Sequence, residues 1–300
     1  MAEKPQMMYA CGRIVPEREA LVSALDAGLL LGAGLFETLR TYNGRPFRLR
    51  QHLARLRSSG QVFRIFVGET DDEIEGIIGR LLEANGVSDA RLRITATRGP
   101  IFEELADDEA PRATLLVTAG GQAFYPPELY ERGATVVVSD VRINETDPRT
   151  FHKTTNFLGN LLALQDAHRG RATEALRFNS KNRLAEGAIS NVFLVSGRRL
   201  LTPPVEDGLL PGVTRAAVLE LAAEVGVPAG QRSLSVQDLL DADEVFLTNS
   251  IMEVMPVARI EQHEFGPKDD EAHLGKPGPV TRRLAQGYKA LVARETGAQV

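Results

Sequence analysis

The sequence predicts a two-domain chain of mixed α and β structure, and three observations carry that expectation. Its 300 residues exceed the length at which one hydrophobic core ordinarily stops growing. Short runs of aliphatic residues alternate along it with longer runs whose apolar positions recur three and four apart, the signatures of strands and helices. A stretch built from small residues, glycine and proline, Ala119-Gly120-Gly121-Gln122-Ala123-Phe124-Tyr125-Pro126-Pro127, separates two such αβ series and reads as a linker. The expected division is a small αβ domain over residues 1–119, a linker over 120–127 and a larger domain over 128–300.

Strand-like segments occupy residues 7–17 and 35–50, the second broken by Asn43-Gly44, a strong hairpin signal between apolar residues. A helix follows from His52 to Val62 with Leu53, Leu56 and Val62 on one stripe. A second runs from Asp71 to Gly86 with Ile74, Ile77, Ile78, Leu81 and Leu82 at helical spacing, and its leading Asp71 and Asp72 suit the helix dipole. Strands over 90–98 and 112–118 complete the first series. In the second, residues 133–142 read as a buried strand. Ala175-Leu176-Arg177-Phe178, residues 191–195 and Leu200-Leu201-Thr202 are further strands, with Ser196-Gly197 as a turn. Pro211-Gly212 precedes a helix that Gly226 stops. A capped helix near Ser235, strands over 244–248 and 254–260, and a final helix with Leu284, Tyr288 and Leu291 follow; residues 264–275 read as a solvated insertion.

With 43% hydrophobic and 25% charged residues, the chain has the composition of an ordinary globular protein. A formal charge of -5 offers no basic footprint for nucleic acid. Cys11 is a single cysteine and cannot close an internal disulfide, and no apolar run is long enough for a membrane span. No leader-like segment opens the sequence. The expectation is a cytoplasmic protein that meets neither nucleic acid nor membrane and carries no metal site.

The chemistry centres on Phe151-His152-Lys153-Thr154-Thr155-Asn156-Phe157-Leu158, where an extended segment gives way to an apolar helical run (Leu158, Leu161, Leu162, Leu164, Ala167). A lysine amine with an ordinary pKa of about 10.4 is protonated at neutral pH, so burial or a nearby cation must lower that value before it attacks a carbonyl. An apolar helix start offers such burial, and a lysine so placed can form a Schiff base with an aldehyde cofactor. Pyridoxal 5'-phosphate asks three things of a protein: that lysine, a carboxylate for its pyridine nitrogen, and a phosphate cradle. Glu186, in an Ala185-Glu186-Gly187 turn, is the candidate carboxylate. The backbone N–H groups of Val213 and Thr214 open a helix after Gly212, where a dianion finds donors and a favourable dipole. Arg55 supplies a charged fork and Ser250 a hydroxyl. His152 is a second candidate for proton transfer, set against the rule that neighbours on a strand face opposite ways. His52 reads as a structural histidine at a helix start.

Seven segments occur in a fixed order: residues 26–40 (from Asp26-Ala27-Gly28 to Glu37-Thr38-Leu39-Arg40), His52-Leu53-Ala54-Arg55-Leu56, Lys153-Thr154-Thr155-Asn156, residues 186–193 (from Glu186-Gly187 to Asn191-Val192-Phe193), Pro211-Gly212-Val213-Thr214-Arg215, residues 248–257 (from Thr248-Asn249-Ser250 to Met255-Pro256-Val257) and Gly278-Pro279-Val280-Thr281. In that order they resemble the class IV aminotransferases. These fold-type IV pyridoxal phosphate enzymes include branched-chain aminotransferases, D-amino acid aminotransferases and aminodeoxychorismate lyases. The resemblance implies an α/β (α+β) fold of two domains, a small N-terminal αβ domain and a larger C-terminal pseudo-barrel domain with the cofactor between them, and a homodimer or higher homo-oligomer. It implies that Lys153 is the Schiff-base lysine and proton carrier, that Glu186 pairs with the pyridine nitrogen, that Arg55, Val213, Thr214 and Ser250 hold the phosphate, and that Asn191 lies near the ring.

The same resemblance makes Phe36, Thr38, Arg93 and Arg98 the candidates for substrate binding, a guanidinium fork being suited to a carboxylate. Compared with the branched-chain pattern, the stretch after Lys153 is one residue shorter and Ile189-Ser190 replaces Gly-Glu before Asn191. Compared with the D-amino acid pattern, Phe36 stands at a tyrosine position, and Pro100 rather than histidine follows Thr97-Arg98-Gly99. Thr38 and the string Met252-Glu253-Val254-Met255-Pro256-Val257 are similar to the lyases. The implied activity is transfer of an amino group from a small α-amino acid to a 2-oxo acid. A lyase releasing pyruvate, and a cofactor-carrying protein without turnover, stay open as alternatives.

Overall fold

The hairpin residues decide the first sheet. Asn43 and Gly44 both hold positive φ (50° and 74°), the conformation a two-residue reversal requires, and they join strand β3 (Gly34–Tyr42) to β4 (Arg45–Pro46). A second reversal lies within residues 7–17. Residues 7–17, expected as one strand, form β1 (Met7–Ala10) and β2 (Arg13–Pro16), because Cys11 and Gly12 turn the chain back at φ 44° and 92°. With β5 (Arg91–Thr97) and β6 (Thr114–Gly120) they make a six-stranded antiparallel sheet in the order β2-β1-β6-β5-β3-β4.

The computed structural model describes residues 5–101, 113–121, 125–266 and 274–299; Phe102, residues 122–124 of the expected linker and residues 267–273 of the expected insertion lie outside these. The chain divides into two compact units. One comprises Met1–Gln122, His152–Asn156 and Val292–Gln299; the other Ala123–Phe151, Phe157–Leu291 and Val300.

In the first unit a short helix α1 (Ala27–Leu31) precedes β3, and α2 (Leu49–Phe63) and α3 (Asp71–Asn85) cover one face of the sheet. Thr70 and Glu73 close a reciprocal capping box on α3, satisfying two N–H groups that a helix start leaves unpaired. Ile74, Ile77, Ile78, Leu81 and Leu82 are buried as expected and pack with Leu53, Leu56, Leu35, Leu39, Leu92 and Ile94. Val62 departs from its expected stripe and is 54% exposed. Six residues beyond Leu56 is well off one face at 3.6 residues per turn, and the stripe continues through the buried Ser59 and Gly60 instead. Strand alternation then turns Leu35, Glu37 and Leu39 toward the helices and leaves Phe36, Thr38 and Arg40 on the other face.

The second unit contains α4 (Pro127–Arg132), β7 (Ala134–Val138), α5 (Leu158–Arg169), β8 (Glu174–Phe178), β9 (Leu184–Gly187), β10 (Asn191–Ser196), β11 (Arg199–Thr202), α6 (Val213–Glu224), β12 (Ala229–Gln231), α7 (Val236–Leu240), β13 (Glu244–Asn249), β14 (Glu253–Ile260), β15 (His263–Glu264) and most of α8 (Pro279–Thr296). Its curled half-barrel sheet runs β12-β11-β10-β13-β14-β7-β8-β9 with β15 on β14. The pairs β7·β8, β7·β14 and β11·β12 are parallel. Val192, Leu194, Val245, Leu247, Met255 and Val257 fill its core. Helix α5 corrects one expectation: Leu158 is 69% exposed, Leu161 and Leu162 are also exposed, and the buried face is Ala163 and Ala167 against Ala175 and Ala188. The small residues allow the helix to approach β8 closely, so Leu158, Leu161 and Leu162 fall on the opposite side while Leu164 packs at the edge of the alanine cluster. Glu186, expected in a turn, lies in strand β9 next to its last residue.

The Gly278-Pro279-Val280-Thr281 motif serves a helix start. Glu244 is buried, and its carboxylate accepts from the N–H groups of Val280 (3.0 Å) and Thr281 (2.7 Å). A Cβ at position 278 would lie 2.0 Å from Glu244 Cδ. Gly278→Ala is therefore expected to push this cap aside and cost about 1–3 kcal/mol, read from urea denaturation. An unchanged midpoint and slope would refute the role given to Gly278.

Candidate active site

The first unit holds the lysine. Residues 152–156 lie along β3: Thr154 pairs with Leu35, Phe36 N–H donates to Lys153 O (2.9 Å) and Thr155 N–H to Gly34 O (2.8 Å). Side chains alternate along this edge as strand geometry demands. His152 Nδ1 lies 2.9 Å from Ser59 Oγ, and its ring meets Phe63 edge-on at 5.0 Å. Lys153 turns instead to Phe36, its Nζ 4.5 Å from the ring centroid. His152 thus anchors the segment to α2, and its partial burial lowers its pKa.

Arg93 shares that ring, its Cζ 3.8 Å from the Phe36 centroid. Its Nε donates to Thr95 Oγ1 (3.2 Å), and Thr38 is its cross-strand neighbour. Burial and the Arg91 charge lower its pKa. Arg98 is exposed, beyond the end of β5. The structure therefore brings Lys153, Phe36, Thr38 and Arg93 to one neighbourhood, while Arg98 lies one residue past the end of β5 with its side chain exposed. Arg55 sits on α2, paired side-on with the buried Glu37, which His52 also meets.

The second unit holds the remaining candidates, tied together through one peptide. Glu186 Oε1 accepts from Arg177 Nη2 (2.8 Å), and Oε2 accepts from Leu210 N–H (3.0 Å). Leu210 O in turn accepts from Asn191 Nδ2 (2.9 Å). Two residues on, Gly212 begins α6 with no side-chain cap, so the first-turn N–H groups of the buried Val213 and Thr214 have no carbonyl partner within the helix. Asn191 Oδ1 packs so closely that a Cβ at 212 would lie 2.0 Å from it. Thr248, opposite Asn191 in register, has a buried Oγ1 with no hydrogen-bond partner among the described residues. Ser250 follows at the end of β13. Asn249 binds that turn, accepting from Ile251 and Met252 N–H and donating to Ile189 O (3.1 Å). Among the described residues no group of three or more His, Cys, Asp or Glu could hold a metal ion.

Sequence reasoning passed over Glu37, Glu174, Arg177 and Asn249 as groups that hold this arrangement. Glu174 is fully buried. It accepts from the N–H groups of Ala175, Ala188 and Ile189 and from Ser190 Oγ, and so shapes the turn between Glu186 and Asn191. Glu174 and Arg177 did carry a signal, since a charge inside an otherwise apolar strand must be paired. Glu37 falls within the motif of residues 26–40, but nothing in the linear order points to its partners fifteen and eighteen residues away.

Residues 34–260 match the model of the amino-transferase class IV family, and the chain belongs to that family. Aminodeoxychorismate lyase of Bacillus subtilis (strain 168) is 31% identical over 268 residues, spanning 89% of this chain and 90% of the relative. D-alanine aminotransferase of Staphylococcus haemolyticus is 29% identical, spanning 95% and 97%. The crystal structure of branched-chain aminotransferase from the thermophilic archaeon Thermoproteus uzoniensis with norvaline superposes with a TM-score of 0.85 at 28% identity, covering 97% of this chain and 96% of that one. The fold is fold-type IV.

Burial pushes the Glu174 carboxyl up to about 6 from 4.5, its four donors only partly opposing this. The folded state thus binds that proton more tightly than the unfolded state does, and its contribution to stability fades as pH rises. The difference in unfolding free energy between wild type and Glu174→Gln is expected to be complete below pH 4.5 and to fall as pH rises through about 6. Urea denaturation across that window measures it, and a pH-independent difference would overturn the assignment.

Proposed function

We propose that the protein is a pyridoxal phosphate-dependent aminotransferase that moves an amino group from a small α-amino acid to a 2-oxo acid. The observation that carries this reading is the placement of a primary amine and a guanidinium on one aromatic ring: Lys153 and Arg93 at Phe36. An amino acid offers both an α-carbon proton and a carboxylate, and these two groups are suited to one each.

The donor set of the second unit fits the cofactor. A carboxylate, an amide and an uncapped helix start, linked through the Leu210 peptide, suit a ligand with a basic ring nitrogen, a ring oxygen and a dianionic phosphate. Glu186 would hold a proton at the ring nitrogen, and Asn191 would lie on the oxygen side. Val213 and Thr214 N–H, Ser250 and Arg55 would hold the phosphate. When bound, the cofactor supplies an electron sink for the pair released at the substrate α-carbon. Lys153 Nζ, once neutral, takes the α-carbon proton. Arg93 is preferred to Arg98 for the substrate carboxylate because it shares a ring with Lys153, whereas Arg98 is exposed.

A lyase that releases pyruvate from aminodeoxychorismate is the second reading. Thr38 favours it, placing a hydroxyl opposite Arg93 on the same sheet face. A homodimer is proposed with either activity: Leu21, Leu29, Leu30 and Leu31 leave a run of exposed leucine in the first unit, the kind of surface a partner covers.

Purified protein mixed with a panel of L- and D-amino acids is expected to shift the cofactor absorbance to the pyridoxamine form. No shift with any of them, alongside pyruvate release from aminodeoxychorismate, would replace the transaminase by the lyase. Cofactor binding with neither reaction would leave a carrier without turnover. Arg93→Met should raise KM for the amino acid roughly tenfold or more, with Arg98→Met within about twofold; the reverse order would exchange their roles. Light scattering should return twice the chain mass, and a monomer would refute the dimer.

A further inference from the structure

We propose that Glu37 is a positioning residue, the group that fixes the plane and direction of the Arg55 guanidinium and thereby the preference of this protein for a phosphorylated over an unphosphorylated pyridoxal. The inference rests on the reading of Arg55 as a phosphate ligand and says how that arginine is held.

Glu37 is 1% exposed, and a carboxylate removed from water persists only where charge and hydrogen bonds replace hydration. Arg55 supplies both. Its Nε donates to Oε1 at 2.8 Å and its Nη2 to Oε2 at 2.5 Å. This side-on fork sets the guanidinium plane and turns the Nη1 edge away from Glu37. Oε2 is also met by His52 Nδ1 at 2.7 Å. Despite burial, Arg55 and His52 hold the Glu37 carboxyl down to about 2, so it is ionised and can only accept. The proton on that contact therefore belongs to His52 Nδ1. Burial keeps His52 below its ordinary pKa although the Glu37 hydrogen bond and charge oppose it, and the charges of Arg55 and Lys153 act with burial. The neutral imidazole thus occupies carboxylate capacity without adding charge, and the three side chains sum to zero: one anion, one cation, one neutral donor.

Strand β3 gives this cluster its second consequence. Phe36 and Glu37 are consecutive and face opposite ways. Phe36 carries the ring that Lys153 and Arg93 share, and its N–H donates to Lys153 O. One step of β3 therefore sets the positions of both the amine and the arginine. Glu37 is too deeply buried to meet a substrate, so its effect on any ligand passes through Arg55.

The test compares pyridoxal 5'-phosphate with pyridoxal, which lacks the phosphate, in absorbance and fluorescence titrations of the full-length protein freed of cofactor. Glu37→Gln should lower affinity for the phosphate ester roughly tenfold or more while changing that for pyridoxal by about twofold at most. Glu37→Asp keeps the charge but shortens the reach, and should give an intermediate loss if the Gln variant fails to fold. In an Arg55→Met background either substitution should change the ratio by less than about twofold, because the partner it acts through is gone. Equal loss for both ligands would indicate a merely structural carboxylate, and an unchanged ratio in both variants would overturn the proposal outright. A wild-type protein with no preference for the phosphate ester would overturn the cofactor reading itself and this inference with it, so the two failures are distinct.

Discussion

A carboxylate taken out of water must be met by donors or by a cation, and in this chain that requirement governs how remote segments are joined. Glu37, Glu174, Glu186 and Glu244 are all buried, and each leaves its strand to fasten something that local structure alone would not hold. Glu37 gathers Arg55 and His52 from α2. Glu174 collects three backbone N–H groups and the Ser190 hydroxyl, and so folds the turn between β9 and β10. Glu186 joins Arg177 to the peptide ahead of α6. Glu244 begins α8. Each removal would leave orphaned donors or an uncompensated arginine, which costs more than the pair itself contributes.

Strand alternation converts these anchors into positions. Glu37 facing α2 obliges Phe36 to face the other way, and Phe36 then meets Lys153 and Arg93. His152 and Lys153 divide in the same manner, the histidine to Ser59 and Phe63 and the lysine to Phe36. A one-residue slip of either segment would exchange the chemistry for the scaffold. In the second unit the equivalent device is the Leu210 peptide, whose N–H and C=O serve Glu186 and Asn191 together. A main-chain group has no rotamers, so it holds two side chains at a lower entropic cost than a third side chain would.

Much of this is legible in the residues themselves. The α3 stripe and its acidic first turn, the Asn43-Gly44 reversal, and the helix after Pro211-Gly212 follow from local rules that hold wherever those residues occur. The expectations that failed depended on packing. Val62 and three leucines of α5, Leu158, Leu161 and Leu162, are apolar, yet the face each helix buries was chosen by what lies against it: Ser59 and Gly60 on α2, and Ala163 with Ala167 against Ala175 and Ala188 on α5. Phe36, one step from Glu37 on β3, meets the Lys153 amine, a contact that no local rule in the sequence indicates. Arg93 and Arg98 were equal candidates by residue type, and only the end of β5 separates one from the other.

Ordered motifs and periodicity are properties of a linear string, so the family, the order of the elements and the residue types available for chemistry can be read without the fold. Which of those residues meet cannot be read from that string. Residues 152–156 group with the first unit although more than a hundred residues separate them from β3, and Glu37 finds its arginine and histidine on another element. Those choices belong to tertiary structure, since burial and register set which side chains lose water together, and a buried charge accepts only the partners the fold brings to it.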